Sequence, residues 1–168
     1  MSEGRPLAGR VRIGRLRAGE LLAAAGAAGL FVALFLPWFG FERAGPASSG
    51  WDRLGWLVLA VAVAAVAAGA WLVAATALVR PVTHVVGAAV LASTIAPIAF
   101  LMVLLRALVF QPGPNDFTTM RYGAWIGLAT AAALAVGAWW SLADERTDAP
   151  ESAYTPPAPR PAPPAESS

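Results

Sequence analysis

Four long apolar blocks alternate with short polar segments along the chain. They cover residues 19–38, 54–79, 82–105 and 122–142, and the second and fourth contain no charged residue. An α-helix needs about 20 mainly apolar residues to cross the hydrocarbon core of a bilayer. Each block reaches that length. The pattern predicts an all-α, polytopic membrane protein whose residues 19–143 form a bundle of four transmembrane helices.

The composition agrees with a membrane protein and excludes several kinds of chemistry. Hydrophobic residues make up 58% of the chain and charged residues 13%, whereas about a quarter of the residues in a soluble domain are charged. Cysteine is absent, which excludes disulfides, thiol nucleophiles and thiolate metal sites. The net charge is +2 and all twelve basic residues are Arg. Because these Arg lie beside apolar blocks, we expect contacts with lipid headgroups rather than with nucleic acid.

The two ends of the chain differ from the apolar blocks. Residues 1–18 contain five Arg and are predicted to be a basic cytoplasmic tail. A signal peptide also begins with a basic segment and an apolar run, but proline interrupts the small-residue site around Gly45 and Ala47, so we expect the first block to be retained. Residues 144–168 are Pro-rich and are predicted to be a disordered cytoplasmic tail, which could also serve as a polyproline ligand.

The distribution of Arg predicts the orientation in the membrane, because cytoplasmic segments carry more positive residues than outer ones. With the amino terminus inside, eight Arg lie on the cytoplasmic side, namely Arg5, Arg10, Arg12, Arg15, Arg17, Arg80, Arg146 and Arg160. Four lie outside, namely Arg43, Arg53, Arg106 and Arg121. Both termini are therefore expected to be cytoplasmic, and the loops around Pro46 and Gly113 are expected to face outward.

Aromatic residues cluster near the ends of the blocks, as in the interfacial belts of membrane proteins. The outer belt is predicted to contain Trp38, Phe39, Trp51, Trp56, Phe110, Tyr122 and Trp125, and the inner belt Trp71, Trp139 and Trp140. This arrangement is consistent with the orientation that the Arg residues predict.

Small residues at four-residue spacing indicate where helices pack closely in lipid. The fourth block carries Gly123, Gly127, Ala131 and Ala135 on one face, and the first block carries Ala25, Gly29 and Ala33 in the same spacing. We predict a helix-packing seam along the fourth helix. It could serve packing within one chain or the contact between two copies in a homo-oligomer.

Pro97 lies in the middle of the third block. A proline there removes one backbone hydrogen bond and frees a carbonyl one turn earlier, so a kink is predicted. Ser93 and Thr94 lie in the same turn and could satisfy that carbonyl. The kink could be purely structural, or it could be a hinge or part of a small polar cavity.

The membrane-spanning blocks offer no obvious reactive group. All Asp, Glu and Arg residues lie in tails, in loops or at helix ends, which argues against ion-coupled transport and proton relays. His84, the only histidine, lies near the cytoplasmic interface, and no carboxylate is nearby in sequence to complete a metal site. On one helix it would be two to three turns from Ser93, out of hydrogen-bond reach. No catalytic, metal-binding or cofactor-binding residue is therefore predicted.

The predicted outer loops hold the remaining charged candidates. Glu42, Asp52 and Asp116, with three Arg beside them, could meet over the outer mouth of the bundle. Such a convergence would be needed for a membrane enzyme. The alternative is that these charges are solvated and that Asp52 is the N-cap of the second helix.

Two segments carry a resemblance to a known group of proteins. The run LFLPWF followed by SSGWD, and the run RYGAWIGLATAAALAVGAWWSLADE, resemble uncharacterised four-helix integral membrane proteins of actinobacteria. The resemblance covers the two outermost blocks. It implies a multi-pass protein of a bacterial plasma membrane and brings no catalytic residue with it.

Three functional hypotheses follow, in order of preference. The first is a non-enzymatic structural or accessory protein that acts through helix and loop contacts with a membrane partner or a second copy. The second is a transporter or channel component whose pore is lined by Ser93, Thr94, Thr76 and Thr130. A polar stripe on one face would favour this hypothesis, and dispersion of the four residues would favour the first. The third is a membrane enzyme with a site on the outer face.

Overall fold

The computed structural model describes residues 16–41, 47–78, 82–112 and 118–147. Helices dominate this part of the chain: α1 (Ala18–Ala33), the short α2 (Gly50–Arg53), α3 (Trp56–Ala77), α4 (Val82–Leu108) and α5 (Tyr122–Thr147). Three of them contain segments long and apolar enough to cross a membrane, Trp56–Ala77, His84–Leu108 and Tyr122–Ala143. Helix α1 is apolar but shorter. The predicted helical character is confirmed.

A small antiparallel sheet accompanies the helices, which the all-α prediction lacked. Its strands are β1 (Pro37–Phe41), β2 (Ser48–Ser49) and β3 (Thr118–Met120), in the order β2-β1-β3. Strand β1 is central because it pairs with β2 from the same loop and with β3 from the loop between α4 and α5. The sheet lies where α1 and α4 end and where α3 and α5 begin; we call this the sheet end of the molecule and the opposite side the far end.

The prediction that the first helix continues to residue 38 is wrong. Helix α1 ends at Ala33, and its last turn tightens through hydrogen bonds from the N–H groups of Phe35 and Leu36 to carbonyls three residues earlier. The proline that begins β1 then excludes further helix, because a residue before proline avoids helical backbone angles. At about 1.5 Å per residue, α1 spans only about 24 Å.

The other predicted boundaries shift by smaller amounts. The second predicted helix begins at Trp56 rather than at residue 54. Gly55, whose φ of +82° lies in the left-handed region that favours glycine, separates it from the short α2, which lies in the predicted loop before the block. Helix α4 continues three residues beyond the predicted end at 105, and α5 five residues beyond 142. Pro97 lies inside α4. Of the predicted tails, residues 1–15 and 148–168 lie outside the described residues.

Helices α1, α3, α4 and α5 pack side by side, with α1 against α5 and α3, and α4 against α3 and α5. The shared core is rich in alanine, with Leu30, Leu72 and Leu134 as its largest fully buried side chains. Alanines allow the helix axes to approach closely, which is how helices gain packing contacts when lipid provides little hydrophobic driving force between them. The alanine-rich blocks therefore encode tight packing of these helices.

Candidate functional site

The sheet end has its own buried core, separate from the alanine-rich core between the helices. It contains the end of α1, two aromatic residues of β1 and residues from the adjoining ends of α4 and α5: Ala33, Leu34, Trp38, Phe39, Leu54, Val103, Ala107, Ala124 and Leu128. Because α1 is about 16 Å shorter than the 27-residue α4, strand β1 occupies the level where another turn of α1 would lie. The sheet is therefore packed into the molecule rather than carried on a detached loop.

Trp38 is the centre of this core. Its side chain is fully buried, and its indole Nε1–H donates to the carbonyl oxygen of Ala33 at 2.6 Å. That carbonyl, in the last turn of α1, also accepts the Leu36 N–H at 3.0 Å, so the indole uses its second lone pair. A Cβ placed on Gly50 would come within 2.9 Å of Nε1, so α2 also approaches the ring. One side chain thus joins the end of α1, strand β1 and helix α2.

The prediction that Trp38 and Phe39 belong to the outer interfacial belt is wrong, because both are fully buried. Both belong to β1, which pairs with a strand on each side, so their backbone groups find partners while their rings are buried in protein. The other predicted belt residues in the described part are exposed: Trp51, Trp56, Trp71, Phe110, Tyr122, Trp125, Trp139 and Trp140. Phe35 contacts Trp51 at a ring-centroid distance of 5.5 Å and adds to this exposed aromatic surface.

Strands β1 and β3 connect two loops that are about 80 residues apart in sequence. Gly40 pairs with Thr119, and the Thr119 hydroxyl donates to the Gly40 carbonyl oxygen at 3.2 Å. The ladder extends to the Arg121 N–H, which donates to the Trp38 carbonyl oxygen at 2.8 Å. The Arg121 guanidinium lies over Gly40, where a Cβ would come within 2.6 Å of its Nε. The two loops therefore form one surface.

Arg106, near the end of α4, joins α4 to the end of α2. Its Nε–H donates to the Leu54 carbonyl oxygen at 3.1 Å, and one terminal nitrogen donates to the Arg53 carbonyl oxygen at 2.6 Å. The other terminal nitrogen donates to the carbonyl oxygen of Phe110. Carbonyls at helix ends carry partial negative charge. A guanidinium placed among three of them acts as a shared cap for α2 and α4.

Asp52 caps a helix, but not in the predicted way. It is the third residue of α2, and its carboxylate accepts the hydroxyl of Ser49 at 2.7 Å and the Ser49 N–H at 3.2 Å. The N-cap is therefore Ser49, in the reciprocal arrangement of a capping box, and α3 begins separately after Gly55. These hydrogen bonds, first from the Ser49 side chain and then from its backbone, hold the pKa of Asp52 below its ordinary value of 3.8. Arg53 donates to the Ser48 hydroxyl at 3.2 Å.

The structure describes only some of the charged residues that were predicted to meet over the outer mouth of the bundle. Glu42, Arg43 and Asp116 lie outside the described residues. Asp52 is exposed and accepts a hydrogen bond from Ser49, and the Arg121 side chain lies over Gly40 of β1. Each of these two charged residues therefore contacts its own neighbours. No group of three or more metal-ligating side chains gathers among the described residues.

The four hydroxyl residues of the hypothetical pore lie in separate settings. Ser93 is buried and Thr94 is exposed on α4, and both donate to the carbonyl oxygen of Val90 rather than to the carbonyl one turn before Pro97. Thr130 donates to carbonyls of its own helix, and its methyl group lies against Gly29 of α1. Thr76 donates to Glu20 and to Leu72. These hydroxyls are dispersed and bonded within the protein.

Glu20 is a buried carboxylate. The sequence predicted its position at a helix end but not its burial. Its side chain is 5% exposed. One carboxylate oxygen accepts the N–H of Arg17 at 3.0 Å, and the other accepts the hydroxyl of Thr76 in α3 at 3.1 Å. The carboxylate thus caps the beginning of α1 and joins it to α3 at the far end. His84, in the first turns of α4, is exposed.

The predicted small-residue seam faces α1 and β1 of the same chain along much of its length. A Cβ on Gly123 would come within 2.5 Å of the Pro37 carbonyl oxygen, and one on Gly127 would overlap the ring of Trp38. Ala131 is buried, whereas Ala135 is half-buried. On α1, Gly29 contacts α5 and Ala33 is buried, but Ala25 is exposed.

Three glycines of the α1–α5 contact escaped the sequence analysis: Gly19, Gly26 and Gly137. A Cβ on Gly19 would come within 2.7 Å of the Ser141 backbone nitrogen, and Gly26 and Gly137 leave even less room. Gly19, Ala23, Gly26 and Leu30 recur at helical spacing and are all buried. This spacing could have identified the face of α1 that packs on α5. Alanine also occurs on the other faces of the same block, so the pattern did not stand out.

Comparisons with known proteins identify no relative from which a function could be transferred. No family model matches the chain, and no curated protein or solved structure is significantly similar to it. The function must therefore be argued from the geometry of the sheet end.

Proposed function

We propose that the protein is a non-enzymatic accessory protein of a bacterial plasma membrane, which crosses the bilayer four times with both termini in the cytoplasm. In this proposal, the sheet end faces outward and binds a membrane protein partner. The observation that carries it is the pairing of β1 with strands from both loops. The sheet is held by strands from both loops and packs on an apolar core, so it is better suited to be a rigid binding surface than a catalytic cleft.

The interior of the described part supports a structural role over transport. A pore needs polar groups along one continuous face, whereas Ser93, Thr94, Thr76 and Thr130 are dispersed and satisfied within the protein. The core between the helices consists of alanine and leucine with a few larger apolar residues around it. These features favour the accessory role over the transporter and channel hypothesis.

The orientation can be tested with cysteines introduced into this cysteine-free chain. We expect an impermeant maleimide to label Ser48→Cys in intact cells and to label Ser167→Cys only after lysis. The pattern of Arg residues supports this outcome. The reverse labelling pattern would contradict the orientation.

The partner-binding role can be tested by photocrosslinking in native membranes. A photoreactive amino acid at Ser48, on the edge strand β2, is compared with one at Ala74, which is exposed near the far end of α3. We expect one discrete heavier product from position 48, none of that mass from position 74, and its loss in the Trp38→Ala background. If both positions give the same products, or if Trp38→Ala leaves the product unchanged in folded protein, the sheet is not the binding surface.

A further inference from the structure

An open groove lies between α4 and α5 on the apolar helix surface. It has a volume of about 390 Å³ and is lined by one residue of α4, Pro97, and by five of α5: Ala135, Val136, Trp139, Trp140 and Ala143. The α5 residues recur every three or four positions and so share one face. Both helices are long and apolar enough to cross a membrane, and the groove lies within those apolar segments.

We propose that this groove binds one acyl chain of a membrane phospholipid, with the ester region of the lipid beside Trp139 and Trp140. The lining is made of Pro, Ala, Val and Trp, whose side chains have no polar atoms other than the two indole N–H groups. A hydrocarbon chain requires no hydrogen bonds. An inserted peptide would have to satisfy its own backbone groups in this apolar setting.

The dimensions of the groove favour a lipid chain over a second helix. From Ala135 to Ala143 it extends about 12 Å along α5 at the helical rise of 1.5 Å per residue. Its volume of 390 Å³ then corresponds to a cross-section on the order of 30 Å², so a helix about 10 Å across would rest on the rim of the groove, whereas an extended hydrocarbon chain can lie within it. The groove therefore fits a single chain better than a helix of a second copy or partner.

The two tryptophans indicate the direction in which the lipid lies in the groove. Trp139 is 65% exposed and Trp140 is 49% exposed, and both lie towards the far end of α5. Indole rings favour the boundary between acyl chains and headgroups, because the ring is apolar and the N–H can donate to ester oxygens. Pro97 lies deeper, near the middle of α4, so the chain would extend from the tryptophans towards the middle of the membrane.

The proposal can be tested by following lipid retained after extraction. The full-length protein is reconstituted in vesicles of phospholipid with brominated acyl chains, which quench nearby tryptophans, and is then transferred to lipid-free detergent. We expect residual quenching and about one retained phospholipid per protein by native mass spectrometry. The residual quenching should be lost when both Trp139 and Trp140 are replaced by Phe and kept in Trp71→Phe, which removes an exposed tryptophan of α3.

A groove-filling variant separates binding from general lipid contact. Ala143→Phe places a ring at the exposed end of the groove without entering the helix core, and Ala67→Phe makes the same change at an exposed position of α3. Excluding about two methylene groups from the groove should lower lipid retention about tenfold, whereas Ala67→Phe should retain lipid like the wild type. Equal retention in the two variants, complete recovery of fluorescence in the wild type, or a dimer crosslinked through position 139 would overturn the proposal.

Discussion

The indole ring of Trp38 lies directly against Gly127, so closely that a Cβ at position 127 would overlap it. Gly127 belongs to the second turn of α5, and Trp38 belongs to the central strand of the sheet. The missing side chain at position 127 is therefore a recess for an aromatic ring, which lets the sheet dock onto the helices. Since Trp38 also donates to the end of α1, this contact sets where α1, α5 and β1 meet.

Replacing Gly127 with Leu should destabilise the protein by about 1–3 kcal/mol, the usual effect of overpacking a filled core. The contact atoms are a rigid indole ring rather than the end of a flexible chain, so little local adjustment is available. Thermal unfolding in detergent measures the loss. Ala129→Leu, at an exposed position two residues further along α5, is the control and should change the melting temperature little. Equal tolerance of both substitutions would mean that Trp38 is not seated against α5.

Glu20 and Thr76 should be energetically coupled, because their hydrogen bond joins α1 to α3 in a buried setting. Hydrogen bonds to charged groups contribute about 1.5–3 kcal/mol. Because Gln keeps an acceptor oxygen, a double-mutant cycle with Glu20→Gln and Thr76→Val, followed by unfolding in detergent, reports only the part of this bond that depends on the carboxylate and should give a coupling energy of about 1 kcal/mol.

The cycle has a built-in comparison. Thr130→Val also removes a hydroxyl that donates to backbone carbonyls, but position 130 does not contact Glu20. Its effect should add to that of Glu20→Gln without coupling. If Thr76→Val is equally additive, the carboxylate of Glu20 does not strengthen the contact between the start of α1 and the end of α3.

The sequence predicted the helices well because each apolar run is long and uninterrupted, and the described structure confirms membrane-length helices in three of the four blocks. It failed at β1 because residues 34–41 continue the apolar run of α1. A short apolar strand and a helix end cannot be distinguished by periodicity alone. The buried positions of Trp38 and Glu20 depend on contacts with residues about 90 and 56 positions away, Gly127 and Thr76, and no local pattern encodes such contacts.

Asp52 should titrate below its ordinary pKa, and Ser49 should be the main cause. The carboxylate gains hydrogen bonds only in the folded protein, so its contribution to stability is complete above its ordinary pKa of 3.8. The contribution is lost as the pH falls through the lower pKa of the folded state. In Ser49→Ala only the backbone N–H remains as a donor, so the pKa should rise towards, but not reach, the ordinary value.

Carboxyl-carbon NMR of Asp52 between about pH 2 and pH 6, which brackets the ordinary carboxyl range, measures this shift in both proteins. Ser48→Ala provides a matched control, because Ser48 bonds to Arg53 rather than to Asp52. An unchanged Asp52 pKa in Ser49→Ala would contradict the capping box seen at the start of α2.

Arg106 should be the most important charged residue of the sheet end, because a single guanidinium donates to carbonyls of Arg53, Leu54 and Phe110. Replacing it with Met keeps much of the apolar stem but leaves these acceptors without their donor. The bond to Leu54 is partly buried, and an unmatched acceptor there costs about 1–3 kcal/mol, whereas the bonds to Arg53 and Phe110 are exposed. Since some can recruit water, we expect Arg106→Met to cost about 2–3 kcal/mol in total.

Arg106→Lys distinguishes the geometry of the guanidinium from its charge. An ammonium can bond one or two of the carbonyls but cannot reproduce the planar fork, so it should recover less than half of the lost stability. Arg121→Met is the comparison: that side chain is exposed over Gly40, and its replacement should change the melting temperature much less. If Arg106→Lys melts like the wild type, the charge alone holds α2 against α4, and the three directed hydrogen bonds are not needed.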